Sequence, residues 1–223
     1  MRWPDRLAGV IGALLLLAVL VPMGLMLWSL MAQGAGLLSV DFLLEDPRQA
    51  GRAGGIAALL VSTGWILAVC LLVAVPVGVG CALYLSEQVP AGTRRARWLG
   101  GVLDMLAAVP SIVYGLFGYQ FFAISLELGF SILSGGLALA LMVLPLMIRS
   151  AEQALRAVPL SYRQAGEALS ISRWGWVRRI LVPQAAPGIA VGIILSIGRA
   201  LAETAVLLFT AGYVLRRPDS LLD

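Results

Sequence analysis

The sequence contains no lysine and no histidine, and all 16 of its basic residues are arginine. Each absence removes chemistry. A P-loop needs a lysine on the nucleotide phosphates, so the chain should not bind ATP in that way. Schiff-base and pyridoxal chemistry need a lysine as well. Zinc-peptidase motifs, serine triads and most metal sites need histidine. No cofactor and no nucleic-acid partner is expected. Charge is scarce too: only 13% of the 223 residues are charged, whereas 60% are hydrophobic. A soluble domain is roughly 45–50% apolar and about 25% charged. This chain has too little charge to cover a water-soluble body of its size, and a mean hydropathy of +0.94 agrees. The composition is that of an integral membrane protein. Cysteine is limited to Cys70 and Cys81, which share one apolar stretch and about the same helix face. They read as small buried apolar residues rather than a disulfide or metal pair.

What the sequence does have is long apolar runs. A bilayer-spanning helix needs roughly 20 mostly apolar residues, and five stretches qualify. They are Leu7 to Met31, Ile56 to Leu85 with Pro76 inside, Trp98 to about Ile124 with Pro110 inside, about Phe130 to Ile148 with Pro145, and about Ala186 to Leu215. The first exceeds the apolar core of a signal peptide, about 7–15 residues, and is read as a span. The expected fold class is therefore all-α, a polytopic membrane helix bundle with about five transmembrane helices.

Arginine position sets the expected orientation. Arg2 and Arg6, then Arg94, Arg95 and Arg97, then Arg149, Arg156, Arg163, Arg173, Arg178 and Arg179 fall on alternate segments, 11 on one side. Arg48, Arg52, Arg216 and Arg217 make 4 on the other, and Arg199 lies inside a span. The N-terminus and the six-arginine connection are thus expected in the cytoplasm, and five spans leave the C-terminus outside.

The fourth connection, Arg149 to Ala185, is long enough for structure of its own. Ser161 with Gln164 three residues on is a capping-box pattern, which predicts a helix over Tyr162–Leu169 after Pro159. Ser172 offers a second start, with Trp174, Val177 and Leu181 on one face, Arg173, Arg178 and Arg179 off it, and Pro183 as the stop. The segment reads equally as an amphipathic helix on the inner leaflet or as a docking element for a cytoplasmic partner.

Arg199 and Glu203 lie in the fifth span with i, i+4 spacing, which would put them on one helix face. A central charge costs about 2.5–3.5 kcal/mol on insertion scales. The pair reads as an ion pair locking two helices or as a polar path for a charged solute, and the default favours the path. Asp104, in the third span, is expected to reach the interface or pair with a loop arginine. Pro110-Ser111-Ile112-Val113-Tyr114-Gly115 breaks the same span. Proline frees a carbonyl and glycine admits close backbone approach, so Ser111 and Tyr114 are candidates for either packing or pathway lining.

Taken in order, these segments resemble the PstA-type permease subunit of the bacterial phosphate ABC importer. The markers are Gly54-Gly55-Ile56 with Thr63, Tyr84-Leu85-Ser86-Glu87, Val109 to Gly118, Leu144-Pro145, Val158-Pro159, and Arg199-Ala200-Leu201-Ala202-Glu203-Thr204-Ala205. They run from about Gly54 to Ala211. The Pro-Ser-Ile-Val-Tyr-Gly-Leu-Phe-Gly run is the most specific.

The fourth connection matches the coupling loop of ABC importer permeases through Gln164-Ala165-Gly166, Ser170 and Val182-Pro183. The pattern there is usually Glu-Ala-Ala, Gly and Leu-Pro. Ala202 and Val206 also stand where glycine and proline are usual.

The resemblance implies a permease subunit of an ATP-driven phosphate importer and no enzymatic activity of its own. Arg199, Glu203, Thr204, Ser111 and Tyr114 would lie on the substrate pathway. Gln164, Ala165, Gly166, Glu167, Ser170 and Pro183 would couple to the ATPase. Implied partners are a second permease subunit, a cytoplasmic ATP-binding dimer, a periplasmic phosphate-binding protein and the lipid bilayer of the inner membrane. The expected divisions are 1–53, a core over 54–215 with its coupling loop, and a tail over 216–223. The resemblance also implies a sixth span. Five are counted, so a truncated chain and a member without the last helix both stand open. A non-transporting scaffold or sensor, an ATP-independent carrier, and a permease for another anion are the alternatives.

Overall fold

The structure is a computed structural model that describes residues 3–49, 52–212, 217–218 and 220–222. Arg2, Arg216 and residues 213–215, with which the sequence closes the fifth span, lie outside the described residues. The chain divides into two units, Met1–Ala57 and Ala58–Asp223.

The first unit carries α1 (Trp3–Gly34), a short α2 (Val40–Leu44) and a hairpin of β1 (Pro47–Arg48) and β2 (Ala53–Gly54). The Ser39 side chain caps α2 by accepting from the Phe42 amide at 3.1 Å. Gly54 has φ +82°, and Gly55 packs its α-carbon against the Phe42 carbonyl. The Gly-Gly pair thus closes the hairpin onto α2, where any Cβ would collide.

The second unit is built around α6 (Ile132–Arg156). About 67% of its most apolar window is buried, against 28% for α3 (Ala57–Gln88) and 28% for the long helix described next, so α6 is the centre of the bundle. Leu139, Val143 and Met147 are fully buried along it, with Cys70 and Ala74 of α3 alongside. Cys70 meets the expectation of a buried thiol, but Cys81 is exposed.

The last long helix runs from Arg173 to Leu201. It consists of α8 (Arg173–Trp176), a π-turn over Val177–Leu181 and α9 (Val182–Leu201). The fifth span therefore begins well before Ala186, and the connection after α6 contains only α7 (Leu160–Ala168). Pro183 does not stop this helix. The Val182 amide donates to Val177, five residues back, and the wide turn absorbs the proline ring that would collide with a regular one.

α9 packs antiparallel along α6 through small residues. A Cβ on Gly188 would lie 2.6 Å from Ala154 Cβ, and one on Gly192 2.8 Å from Ser150 Cβ. One turn on, the Ser196 hydroxyl bonds back to the Gly192 carbonyl at 2.8 Å. Between membrane helices such close approach is the main source of packing energy.

The third apolar stretch is not straight. α4 (Arg94–Ala108) meets α5 (Ser111–Gly118) and its π-turn extension (Tyr119–Ser125) at 88°. The bent pair nonetheless makes one crossing of the bundle. Arg149 and Arg156, in the last third of α6, bind the middle of α4 and the end of α3 respectively. The beginning of α6, Ile132, lies 24 residues before Arg156, about 36 Å along the helix. The chain between α3 and α6 must therefore travel from one face to the other. Counting the pair as one, the described residues hold five helical elements long and apolar enough to cross a membrane.

Candidate functional site

The two groups of residues singled out by the sequence occupy two different places. Beside the middle of α6 the chain breaks within the expected fifth span, with Ala200 and Val206 packed in the same cluster as Leu139 and Val143. α9 ends at Leu201, residues 202–204 are non-helical, and α10 (Ala205–Thr210) starts anew. Arg199 and Glu203 consequently do not share a helix face. Arg199 sits in the last turn of α9 and is exposed. Among the described residues it has no carboxylate partner. Its charge does suit a helix C-terminus. Glu203 is half-buried, and its Oε1 accepts the Ala205 amide at 3.2 Å. It thereby satisfies one of the free amides at the start of α10. Thr204 is exposed beside it.

α5 forms the wall against which this break is packed. A Cβ on Gly115 would be 3.1 Å from Val206 Cα and 3.2 Å from the Ala205 carbonyl oxygen. On Gly118 it would be 2.8 Å from Thr210 Cγ2. Glycine is thus needed for α10 to approach α5, and the neighbouring Tyr114 and Ser111 are brought near the break. The Tyr114 hydroxyl donates to the Leu106 carbonyl at 2.9 Å. Leu106 is four residues before Pro110, so its carbonyl lacks the regular i+4 amide donor and keeps only the Val109 amide at 3.2 Å. The tyrosine therefore holds the bend. Ser111 is half-buried at the first turn of α5.

At the end of the bundle where α6 stops stands the loop around α7. Pro159, not Ser161, precedes its first turn, and Ser161 lies inside the helix. The capping box does not form, because the Pro159 carbonyl already takes the Tyr162 amide at 3.1 Å. Gln164, Ala165, Glu167 and Ser170 are exposed, whereas Gly166 is buried. Pro183 is distant in sequence and exposed in the first turn of α9.

α7 ends in a Schellman motif. The Ile171 amide donates to Gly166 at 3.0 Å and the Ser170 amide to Glu167 at 2.9 Å. Ser170 has φ +54°, the left-handed conformation that glycine adopts at no steric cost. Ser172 then caps α8, accepting from Gly175 at 3.2 Å. The buried aromatic here is Trp176, 8% exposed, and not Trp174, which is 70% exposed. The π-turn that begins after Trp176 shifts the register on which the Trp174 stripe depends.

An arginine network that the sequence did not single out joins this loop to the bundle. Arg149 Nη2 donates to Asp104 Oδ1 at 2.7 Å and to the Gly100 carbonyl at 2.8 Å. Asp104 thus pairs with an arginine, as the sequence allows. Glu152 accepts Arg156 Nε at 2.9 Å and lies 3.5 Å from Arg149 Nη1. Arg156 also donates to the Leu85 carbonyl at 2.8 Å, at the end of α3. Arg163 donates to Glu87, and its guanidinium lies 5.8 Å over the Trp176 ring. The available signal was Glu87. A carboxylate in the last turn of a helix opposes the macrodipole and needs a cation, and Arg163, in the connection after α6, supplies it.

A small-residue seam, a broken last helix and an exposed short helix between two spans define a predominantly helical, polytopic membrane protein. The family model for binding-protein-dependent transport system inner membrane components matches residues 74–221, and the chain belongs to that family. It is 35% identical over 209 residues to a Bacillus subtilis protein described as a probable ABC transporter permease, YqgI, covering 93% of this chain and 70% of that one. It is 35% identical to the Mycobacterium bovis phosphate transport system permease PstA 2, covering 89% of this chain and 64% of that one. The Haemophilus influenzae phosphate transport system permease PstA is 34% identical, with coverages of 83% and 65%. The chain thus spans less than two thirds of these two phosphate permeases. Two inward-facing structures of the MetNI methionine ABC transporter share the fold. Their TM-scores are 0.54 and 0.55 at 20% and 17% identity, over 66% of this chain and 68% and 69% of those chains.

Proposed function

We infer that the chain is a membrane subunit of an ATP-driven importer of inorganic phosphate. In this reading it lies in the bacterial inner membrane with its N-terminus in the cytoplasm. It forms part of the translocation pathway with a second permease subunit. A periplasmic binding protein delivers phosphate, and a separate ATP-binding dimer supplies the energy. The names of its relatives support phosphate, and the absence of lysine supports an ATPase on another chain.

The observation that carries the reading is Arg199, an exposed cation without a carboxylate partner among the described residues, beside a break in a membrane-spanning helix. An ionisable group at that depth is costly unless it meets a counter-charge or a wet cavity. A phosphate oxyanion offers that counter-charge, and arginine presents two parallel donors to it. Thr204 adds a hydroxyl. Glu203 repels the anion and keeps it from being held too tightly. Ser111 and Tyr114 complete the polar rim, with Tyr114 acting through the bend it supports. Where α6 ends, the exposed Gln164, Ala165 and Glu167 meet the ATPase. Gly166, Ser170 and Pro183 shape the helix ends behind them.

The test is phosphate uptake by the assembled transporter in liposomes. Arg199→Gln should lower uptake by about 100-fold, the loss of one or two charge-assisted hydrogen bonds, while the subunits still copurify. Uptake that stays at the wild-type level would remove Arg199 from the pathway.

A further inference from the structure

α7 buries only Gly166 along its length, although it is read as a transmission element. Two cavities open beneath it, of about 190 Å³ and about 440 Å³, and Glu87, Arg163 and Trp176 line both. A helix standing over voids could be pushed into them, and its displacement would then be lost before reaching the spans.

The charged link across the gap is Arg163. From α7, Arg163 reaches Glu87, the penultimate residue of α3, and lies over Trp176, whose helix continues unbroken into α9. Trp176 is in turn set against Gly166, one turn along α7, where a Cβ would be 3.2 Å from the indole Cε3. Among the described residues the indole Nε1 has no hydrogen-bond partner, so packing and the guanidinium hold the ring. On the far side of Glu87, Arg156 ties the Leu85 carbonyl to α6. The Glu87 side chain is 18% exposed and that of Arg163 is 40% exposed. A charged pair is screened less as it leaves solvent.

We propose that Arg163 is a positioning residue that joins α7, the end of α3 and α8, the first turn of the long helix that runs on into α9, into one rigid body, so that displacement of α7 moves both spans together. The proposal rests on the coupling reading of α7 given above. Arginine suits the task because one planar group can pair a carboxylate at its edge and stack on an aromatic ring with its face. The exposed side of α7, with Gln164, Ala165 and Glu167, is left for the element that pushes.

The experiment uses the complete transporter in liposomes with spin labels at Ser161 on α7 and Gln184 on α9, both exposed. In the otherwise unaltered protein the distance between the labels should be the same without nucleotide and with ATP and vanadate. In Arg163→Gln and Glu87→Gln it should change or broaden with nucleotide. Phosphate taken up per ATP hydrolysed should fall about tenfold in both variants. The charge-reversed pair Glu87→Arg with Arg163→Glu should recover the part of it that the ion pair carries, but not the part carried by stacking on Trp176. If either single variant fails to assemble, Arg163→Lys serves instead, keeping the charge and losing the stacking, with a smaller fall in the same ratio. A distance that shifts with nucleotide in the unaltered protein would overturn the rigid-body claim, as would variants with unchanged distance and ratio. The distance readout needs no phosphate, so a wild-type transporter that moves its labels together but takes up no phosphate would refute the substrate reading alone.

Discussion

The α6–α9 seam and the break after Leu201 belong to the same long helix, yet they are built by opposite rules. Along the seam Gly188 and Gly192 leave no room for even one methyl group. Near the break, a Cβ on Gly198 would meet nothing within 4 Å, and the adjacent Arg199 is exposed. The difference teaches where this helix is allowed to change. Its middle is fixed against the bundle centre by close contact. Its end carries the charge and the polar backbone, which need a solute, water or a partner beside them.

The largest effect should come from closing the gap in the seam. Gly188→Val forces branched methyl groups into Ala154 and should cost about 1–3 kcal/mol or more. Thermal unfolding in detergent should show it as a lower midpoint and a poor yield. Gly198→Ala, ten residues on in the same helix, should be neutral or stabilising by up to about 1 kcal/mol, the ordinary helix preference of alanine. If the two substitutions had equal effects, the contrast between seam and break would be false.

Tyr114→Phe comes next in size. It removes the hydroxyl that holds the Leu106 carbonyl at the Pro110 bend. The Val109 amide still donates to that carbonyl at 3.2 Å, so the group is not orphaned and the loss should be about 1 kcal/mol. Stability should fall while the KM for phosphate uptake stays put, since the hydroxyl acts on the bend. A large rise in KM with unchanged stability would instead put Tyr114 in contact with the substrate.

The same contrast explains how much of the molecule was legible beforehand. Span number and the bend at Pro110 follow from hydropathy and proline chemistry, which are local, and they were readable. The break at 202–204 was not. Its flanks, Ala200-Leu201-Ala202 and Ala205-Val206-Leu207, are good apolar helix sequence with neither glycine nor proline. The interruption lets Val206 and Thr210 settle against Gly115 and Gly118, which is a tertiary requirement. Trp176 was missed for a related reason. A π-turn changes the side-chain period, so a stripe counted at regular helical spacing landed on Trp174. Arg163 was counted for topology only, because nothing local to it announces a carboxylate 76 residues earlier.

The smallest effect, and the most direct test of the loop geometry, is Ser170→Gly. Two terms compete. Holding a non-glycine residue in the left-handed region costs roughly 1–2 kcal/mol. Glycine, however, gives the unfolded chain more freedom and loses about 0.5–1 kcal/mol on being ordered. Relief of strain should win by about 0.5 kcal/mol, because both Schellman hydrogen bonds use backbone groups that the substitution leaves in place. For a domain of this size that is a rise in melting temperature of about 1–2 °C. A fall would mean that Ser170 gives the motif more through its side chain than its backbone costs. Because Ser170 lies past the end of α7 and not on the Arg163 bridge, phosphate transported per ATP should not change. The substitution therefore separates the stability of the helix end from the connection that lets the helix move its neighbours.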